Sequence, residues 1–163
     1  MRSVIALASA VAILAFVNLS IAGKERQLQS ATVVYLELAP VDPRSLMQGD
    51  YMALRFKIAD DAFGRGRSKE SEDGRIVVKL DPRNVAAYVR RDGGDALAEG
   101  EAVLRYRVRN DEVKFATNAY FFQEGHARYY ERARYGEFRA APDGETILTA
   151  MRGEKLEILG PPR

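Results

Sequence analysis

The sequence predicts a mainly β (α+β) protein: an N-terminal transmembrane helix, then a β-rich domain, barrel-like or a curled sheet, with one helix packed against it. Three observations predict this. An uncharged, mostly apolar run, Ser3 to Ala22, opens the chain. Behind it come about eight to ten short segments in which apolar and polar residues alternate, separated by Gly, Pro, Asn and Asp. One stretch, Gln123 to Arg134, replaces that alternation with helical spacing. The implied organisation is an anchor over residues 1–23, a stem over 24–30 and a β-rich domain over 31–163.

At helical rise the opening run spans roughly 30 Å, the thickness of a bilayer core. Arg2 flanks it on one side, Lys24 and Arg26 on the other. The competing reading is a cleaved signal peptide, with Ser20-Ile21-Ala22 before Gly23 as its processing site. The run is long for a signal peptide, which favours the uncleaved anchor. Either reading places the rest of the chain outside the cytoplasm, on the periplasmic side of an inner or plasma membrane. The flanking charges nearly balance and do not fix orientation. Asn18, inside the span, is either a hydrogen-bonding contact to a membrane partner or a residue wetted at the interface.

Composition removes several chemistries. There is no cysteine, hence no disulfide framework, thiolate metal site or thiol nucleophile. The net charge is +2, with 25 basic against 23 acidic residues, so no global field argues for nucleic acid. No cofactor and no metal is expected.

The strands follow in order. Ala31–Leu38 alternates, with Val34, Leu36 and Leu38 on one face. A loop rich in proline follows, in which Pro40 and Pro43 exclude both a helix and a central strand. Gln48-Gly49-Asp50 is turn chemistry. From Asp50 to Ile58 the residues Met52, Leu54, Phe56 and Ile58 point one way, and Tyr51, Ala53, Arg55 and Lys57 the other. Asp60–Gly74 reads as an exposed loop. Arg75–Leu80 is a strand with Ile76, Val78 and Leu80 inward, and Asp81-Pro82-Arg83 echoes Asp42-Pro43-Arg44. Val85–Val89 is a short strand, and Asp95–Glu101 is loop or one helical turn. Ala102–Val108 points Ala102, Leu104, Tyr106 and Val108 inward, turns at Asn110-Asp111 and returns over Glu112–Thr117 as a hairpin. Asn118–Phe122 is dense in aromatics and is expected to be mostly buried. Gln123–Arg134 is expected as a helix with His126, Tyr129, Tyr130 and Ala133 on one face, ended by Gly136. Glu137–Ala140, Thr146–Met151 and Leu156–Leu159 close the chain as strands around the turn Ala141–Gly144.

The stretch Gly49-Asp50-Tyr51-x-x-Leu54-x-Phe56 resembles the signature of the GDYXXLXY family of membrane-anchored bacterial proteins, which have no assigned activity. The signature ends in tyrosine, where this chain has Phe56. Asp42–Leu46, Phe122–Ala127 and Tyr135–Arg139 share the resemblance. It implies an interaction or accessory module for another envelope component, with a multi-span membrane protein as partner in addition to the bilayer contacted through residues 3–22. On that reading Asp42, Arg44, Gly49, Asp50 and Tyr51 build a displayed loop, and Glu124, His126 and Tyr130 line the same region.

His126 is the only histidine, and catalysis would need an orienting carboxylate and a nucleophile beside it. Asp42, Asp50, Glu124 and Glu137 would make a carboxylate cluster only if the fold gathers them; Asp42 and Asp50 read more simply as turn caps. Arg55 and Lys57, with Arg105, Arg107 and Arg109, would form one basic face for an anion or anionic headgroups if their strands are neighbours, and otherwise a solvated surface of salt bridges. Leu46–Asp50 is also similar to a segment of membrane-anchored signal peptidases, which use a serine nucleophile and a lysine base. Val41 stands where that serine would be, so a serine–lysine hydrolase here would need Ser45 with Lys57 or Lys79. A pocket for a small anion between the proline loop and the expected helix, involving Arg44, is the remaining alternative.

Overall fold

The computed structural model describes residues 2–39, 47–48, 50–64, 72–109 and 112–162. It divides into two compact units, Met1–Ala31 and Thr32–Arg163.

The first unit is one helix, α1 (Arg2–Ser30), whose described side chains are those of Leu7, residues 9–23 and Glu25. At about 100° per residue, Val11, Ile13, Leu14, Phe16, Leu19 and Ile21 point in every direction around the axis. Each is more than half exposed. Among the described residues no helix is long and apolar enough to cross a membrane. The uncharged run itself begins at Ser3, ahead of the first described side chain. Asn18 Nδ2 donates to Leu14 O at 2.8 Å and Ser20 Oγ to Phe16 O at 2.9 Å, so both polar groups are satisfied by their own helix.

The second unit is β-rich. Its elements are β1 (Thr32–Glu37), β2 (Met47–Gln48), β3 (Tyr51–Ala53), α2 (Lys57–Phe63), β4 (Gly74–Leu80), β5 (Ala86–Arg91), β6 (Glu101–Arg109), β7 (Glu112–Lys114), β8 (Ala119–Phe121), β9 (Tyr135–Ala140) and β10 (Thr146–Arg152). They pair antiparallel in three sheets, ordered β1–β9–β10, β2–β3–β8 and β5–β4–β6–β7. Bridges curl them around a shared core. Tyr35 pairs with Val85, Leu38 with Phe56, and Arg105 N donates to Gly144 O at 2.8 Å. The core collects Val34, Leu36, Met52, Leu54, Phe56, Ile76, Val78, Leu104, Tyr106, Phe115, Phe138 and Met151. Alternation therefore identified the inward rows of β1, β3, β4 and β6. Val77, between Ile76 and Val78 on the opposite face of β4, is buried as well.

Several expectations are corrected. The strand from Asp50 does not run to Ile58: Phe56 makes a single bridge to Leu38 and α2 begins at Lys57. What read as charged loop is partly this helix, because Ile58, Ala59 and Phe63 reach the core and the Phe63 ring meets Tyr106 edge-on at 4.7 Å. Residues 65–71 lie outside the described set, and Gly74 already belongs to β4. The α-helix over Gln123–Arg134 is not formed. Gly125 has φ +78°, and the chain closes instead by successive i to i+3 bonds: His126 N to Gln123 O, Tyr129 N to His126 O, Tyr130 N to Ala127 O and Ala133 N to Tyr130 O. Only Ala127–Tyr129 is helical, as a 3₁₀ turn.

Gly136 is not a helix stop. It lies inside β9, where a Cβ would stand 2.9 Å from the Phe138 ring and 3.2 Å from both Leu148 Cδ1 and the Phe56 ring. The glycine lets two aromatic side chains meet over the backbone, and Phe56 and Phe138 do so edge-on at 5.3 Å. Leu156–Leu159 contributes one bridge, Ile158 to Arg152, in place of a strand. In Asn118–Phe122 the aromatics divide: Tyr120 and Phe122 pack on the core while Phe121 is 74% exposed.

Candidate functional site

Of the proposed displayed loop, Asp42, Arg44 and Gly49 lie outside the described residues, as do Ser45 and the Asn110-Asp111 turn. Asp50 and Tyr51 are described. Asp50 O accepts from Phe122 N at 3.0 Å, and Tyr51 pairs across the strands with Phe121, their rings 5.7 Å apart. The signature thus alternates in role: Tyr51 faces an exposed aromatic, while Leu54 and Phe56 are core.

The second proposed block lies close to this one. Tyr130 is buried, stacks on Phe122 at 5.2 Å and meets Tyr120 edge-on at 5.1 Å. Burial, reinforced by a hydrogen bond with Tyr130, pushes the Tyr120 hydroxyl up to about 12. Asp50, Tyr51 and Tyr130 are therefore joined through Phe121 and Phe122. His126 packs edge-on against Tyr129 at 5.4 Å, and the Arg128 guanidinium lies 5.0 Å over the same ring. Glu124 is exposed on the turn before them. Among the described residues Asp50, Glu124 and Glu137 are not gathered into one cluster. Glu137 is buried on β9, where its carboxylate accepts from Arg152 Nε at 2.6 Å and from Thr149 Oγ1 at 3.2 Å. No group of three or more metal-ligating side chains occurs among the described residues.

The lysines a hydrolase would need are both engaged. Lys57 Nζ donates to Glu37 at 3.2 Å, and this contact holds its pKa above the ordinary lysine value, the opposite of what a general base requires. Lys79 Nζ donates to the Glu99 carbonyl.

The five cations read as one basic face fall on two surfaces. Arg55 pairs with Asp60 at 2.7 Å and Lys57 with Glu37, together lining a cleft of about 400 Å³ with Asp61 and Arg134. Arg105, Arg107 and Arg109 project from the outer face of β6. There the register sets like charges directly opposite one another, Arg75 on Arg105 and Lys114 on Arg107. Such pairs oppose sheet formation unless counter-charge is brought in. Within the sheet Glu112 stands opposite Arg109, and further counter-charge comes from outside it. Arg109 Nη1 and Nη2 bind the two oxygens of Asp73 at 2.9 and 3.2 Å. That contact, with a second hydrogen bond from Val108 N, holds the Asp73 carboxyl below its ordinary range. Arg75 reaches Asp92 at 2.8 Å. Arg105 and Arg107 share one oxygen, Glu145 Oε1, at 2.9 and 3.4 Å.

Beside that shared oxygen is a small cleft of about 160 Å³ lined by Arg105, Arg107, Ala116, Glu145 and Thr146. Its wall is strained: Ala116 has φ +54°, and Thr117 N closes a tight turn onto Phe115 O at 2.6 Å. Nothing local in the sequence marks Glu145 or Lys114, since Glu145 arrives from the β9–β10 turn and Lys114 matters only through its register.

No curated protein and no solved structure matches this chain. Residues 13–151 match the family model described as GDYXXLXY protein, a span that includes the signature strand, the aromatic cluster around Tyr130 and the β6 face. The chain belongs to the GDYXXLXY family.

Proposed function

We propose that this chain is a single-pass membrane-anchored protein whose β-rich unit is an interaction or accessory module for another envelope membrane protein. One observation carries the reading. α1 bears large apolar side chains on every face, each exposed, and an all-round apolar helix needs an apolar surrounding. The uncharged sequence from Ser3 to Ala22 and the internal bonding of Asn18 and Ser20 support it, because a helix in lipid must satisfy its own polar groups. The β-rich unit then works outside the cytoplasm. It presents the exposed Phe121 ring, set against the half-buried Tyr51, as a contact for the partner, which the family likeness suggests is a multi-span protein.

Alkaline carbonate extraction of membranes carrying the full-length chain tests the anchor. The protein is expected in the pellet at its unprocessed mass. Recovery in the supernatant would overturn the reading, and a product beginning at Gly23 would replace the anchor with a signal peptide. Detergent pull-down is expected to retain a membrane partner and to lose it in Phe121→Ser.

A further inference from the structure

We propose that the small cleft on the outer face of β6 is an oxyanion site that takes one phosphate group, with Arg105, Arg107 and Lys114 as its ligands and Glu145 as an internal competitor. It is independent of the anchor and lies on a different sheet from the Tyr51–Phe121 pair.

Three observations converge. The first is charge. Arg105 and Arg107 face one carboxylate, Glu145, and both guanidiniums use the same oxygen of it. Arg107 and Lys114 are directly opposite across the β6–β7 pair, an arrangement that costs stability and that a bound anion would relieve. The second is size. The cleft, of about 160 Å³, has room for a single tetrahedral oxyanion beside the two guanidiniums. The third is the backbone. Ala116 lines the cleft in a left-handed conformation that a non-glycine residue adopts only when held there.

Planar guanidiniums suit phosphate, offering paired donors, and a phosphate dianion carries more charge than the carboxylate it would displace. Glu145, on the β9–β10 turn, occupies the arginines when no anion is present. The same phosphate chemistry is available from free phosphate or from a phosphomonoester lipid headgroup.

The test uses the full-length protein in phosphatidylcholine nanodiscs and reads the thermal midpoint of the β-rich unit. In one arm inorganic phosphate is titrated at constant ionic strength against sodium chloride. In the other, part of the phosphatidylcholine is replaced by phosphatidic acid. A ligand that binds only the folded state raises the midpoint. A rise in the first arm alone assigns free phosphate, and a rise in the second alone assigns the headgroup. In the responding arm Arg107→Gln and Lys114→Gln are each expected to weaken binding roughly tenfold, and Glu145→Gln to tighten it, a gain that a purely structural role for Glu145 would not produce. The proposal is overturned if neither arm raises the midpoint, if Arg107→Gln keeps the full response, or if Glu145→Gln abolishes it.

Discussion

Beside the signature strand each cation has its own carboxylate, Arg55 with Asp60 and Lys57 with Glu37; on β6 two guanidiniums share one oxygen of Glu145. The source of the counter-charge explains the difference. α2 starts immediately after the signature and brings Asp60 back within five residues of Arg55, while β1 supplies Glu37, 20 positions from Lys57. The β6 cations depend on residues far away in sequence: Glu145, 40 positions from Arg105, and Asp73, 36 from Arg109. The first surface behaves as part of the fold. On the second, two guanidiniums lean on one carboxylate oxygen, a contact for which an anion can compete.

The largest effect that would break this comparison is on the signature side. Phe56→Ala removes a ring that is 3% exposed and packs on Phe138 and Gly136. It is expected to cost about 4 kcal/mol in urea unfolding. The phosphate response should persist wherever the variant is still folded. Loss of that response at full folding would mean that the two regions are not separable.

A smaller effect of opposite sign is expected on β6. In phosphate-free, low-salt buffer Arg107→Gln relieves the clash with Lys114 and is expected to leave stability unchanged or raise it by up to about 0.5 kcal/mol. Added sodium chloride should raise the wild-type midpoint by screening the same repulsion, and the variant should respond less. A clearly destabilised Arg107→Gln would show that the Glu145 contact outweighs the repulsion.

The smallest effect concerns the one β6 cation with a carboxylate to itself. The Arg109 hydrogen bond holds the Asp73 pKa below its unfolded value, so the associated stability is present above that value and fades as pH falls through the folded one. Asp73→Asn is expected to lower stability slightly at neutral pH and to converge with the wild type below pH ~4, which flattens the acid limb. An unchanged acid limb would remove Asp73 from the description of this face.

Tyr129 and Tyr130 illustrate how sequence periodicity misleads. Their spacing with His126 and Ala133 fits an α-helix, yet a left-handed Gly125 and the stacking of Tyr130 on Phe122 settle the segment into 3₁₀ turns. The helix that does pack on the sheet, α2, hid behind Asp60 and Asp61, although Ile58, Ala59, Ala62 and Phe63 already carried its apolar spacing. Part of the candidate site was similarly legible: Arg105 and Arg107 stood out as an outward row, while Glu145 and Lys114 did not.

The sequence alone determined the uncharged opening run, the inward rows of β1, β3, β4 and β6, and the family, because each depends on residues that are consecutive or regularly spaced. Only the tertiary structure decided which charges meet, where Gly136 admits two rings, and that Lys114 faces Arg107 while a single carboxylate serves both Arg105 and Arg107. Those outcomes follow from strand register and from turns that join distant segments, and Coulomb interactions depend on distance in space, which position along the chain does not give.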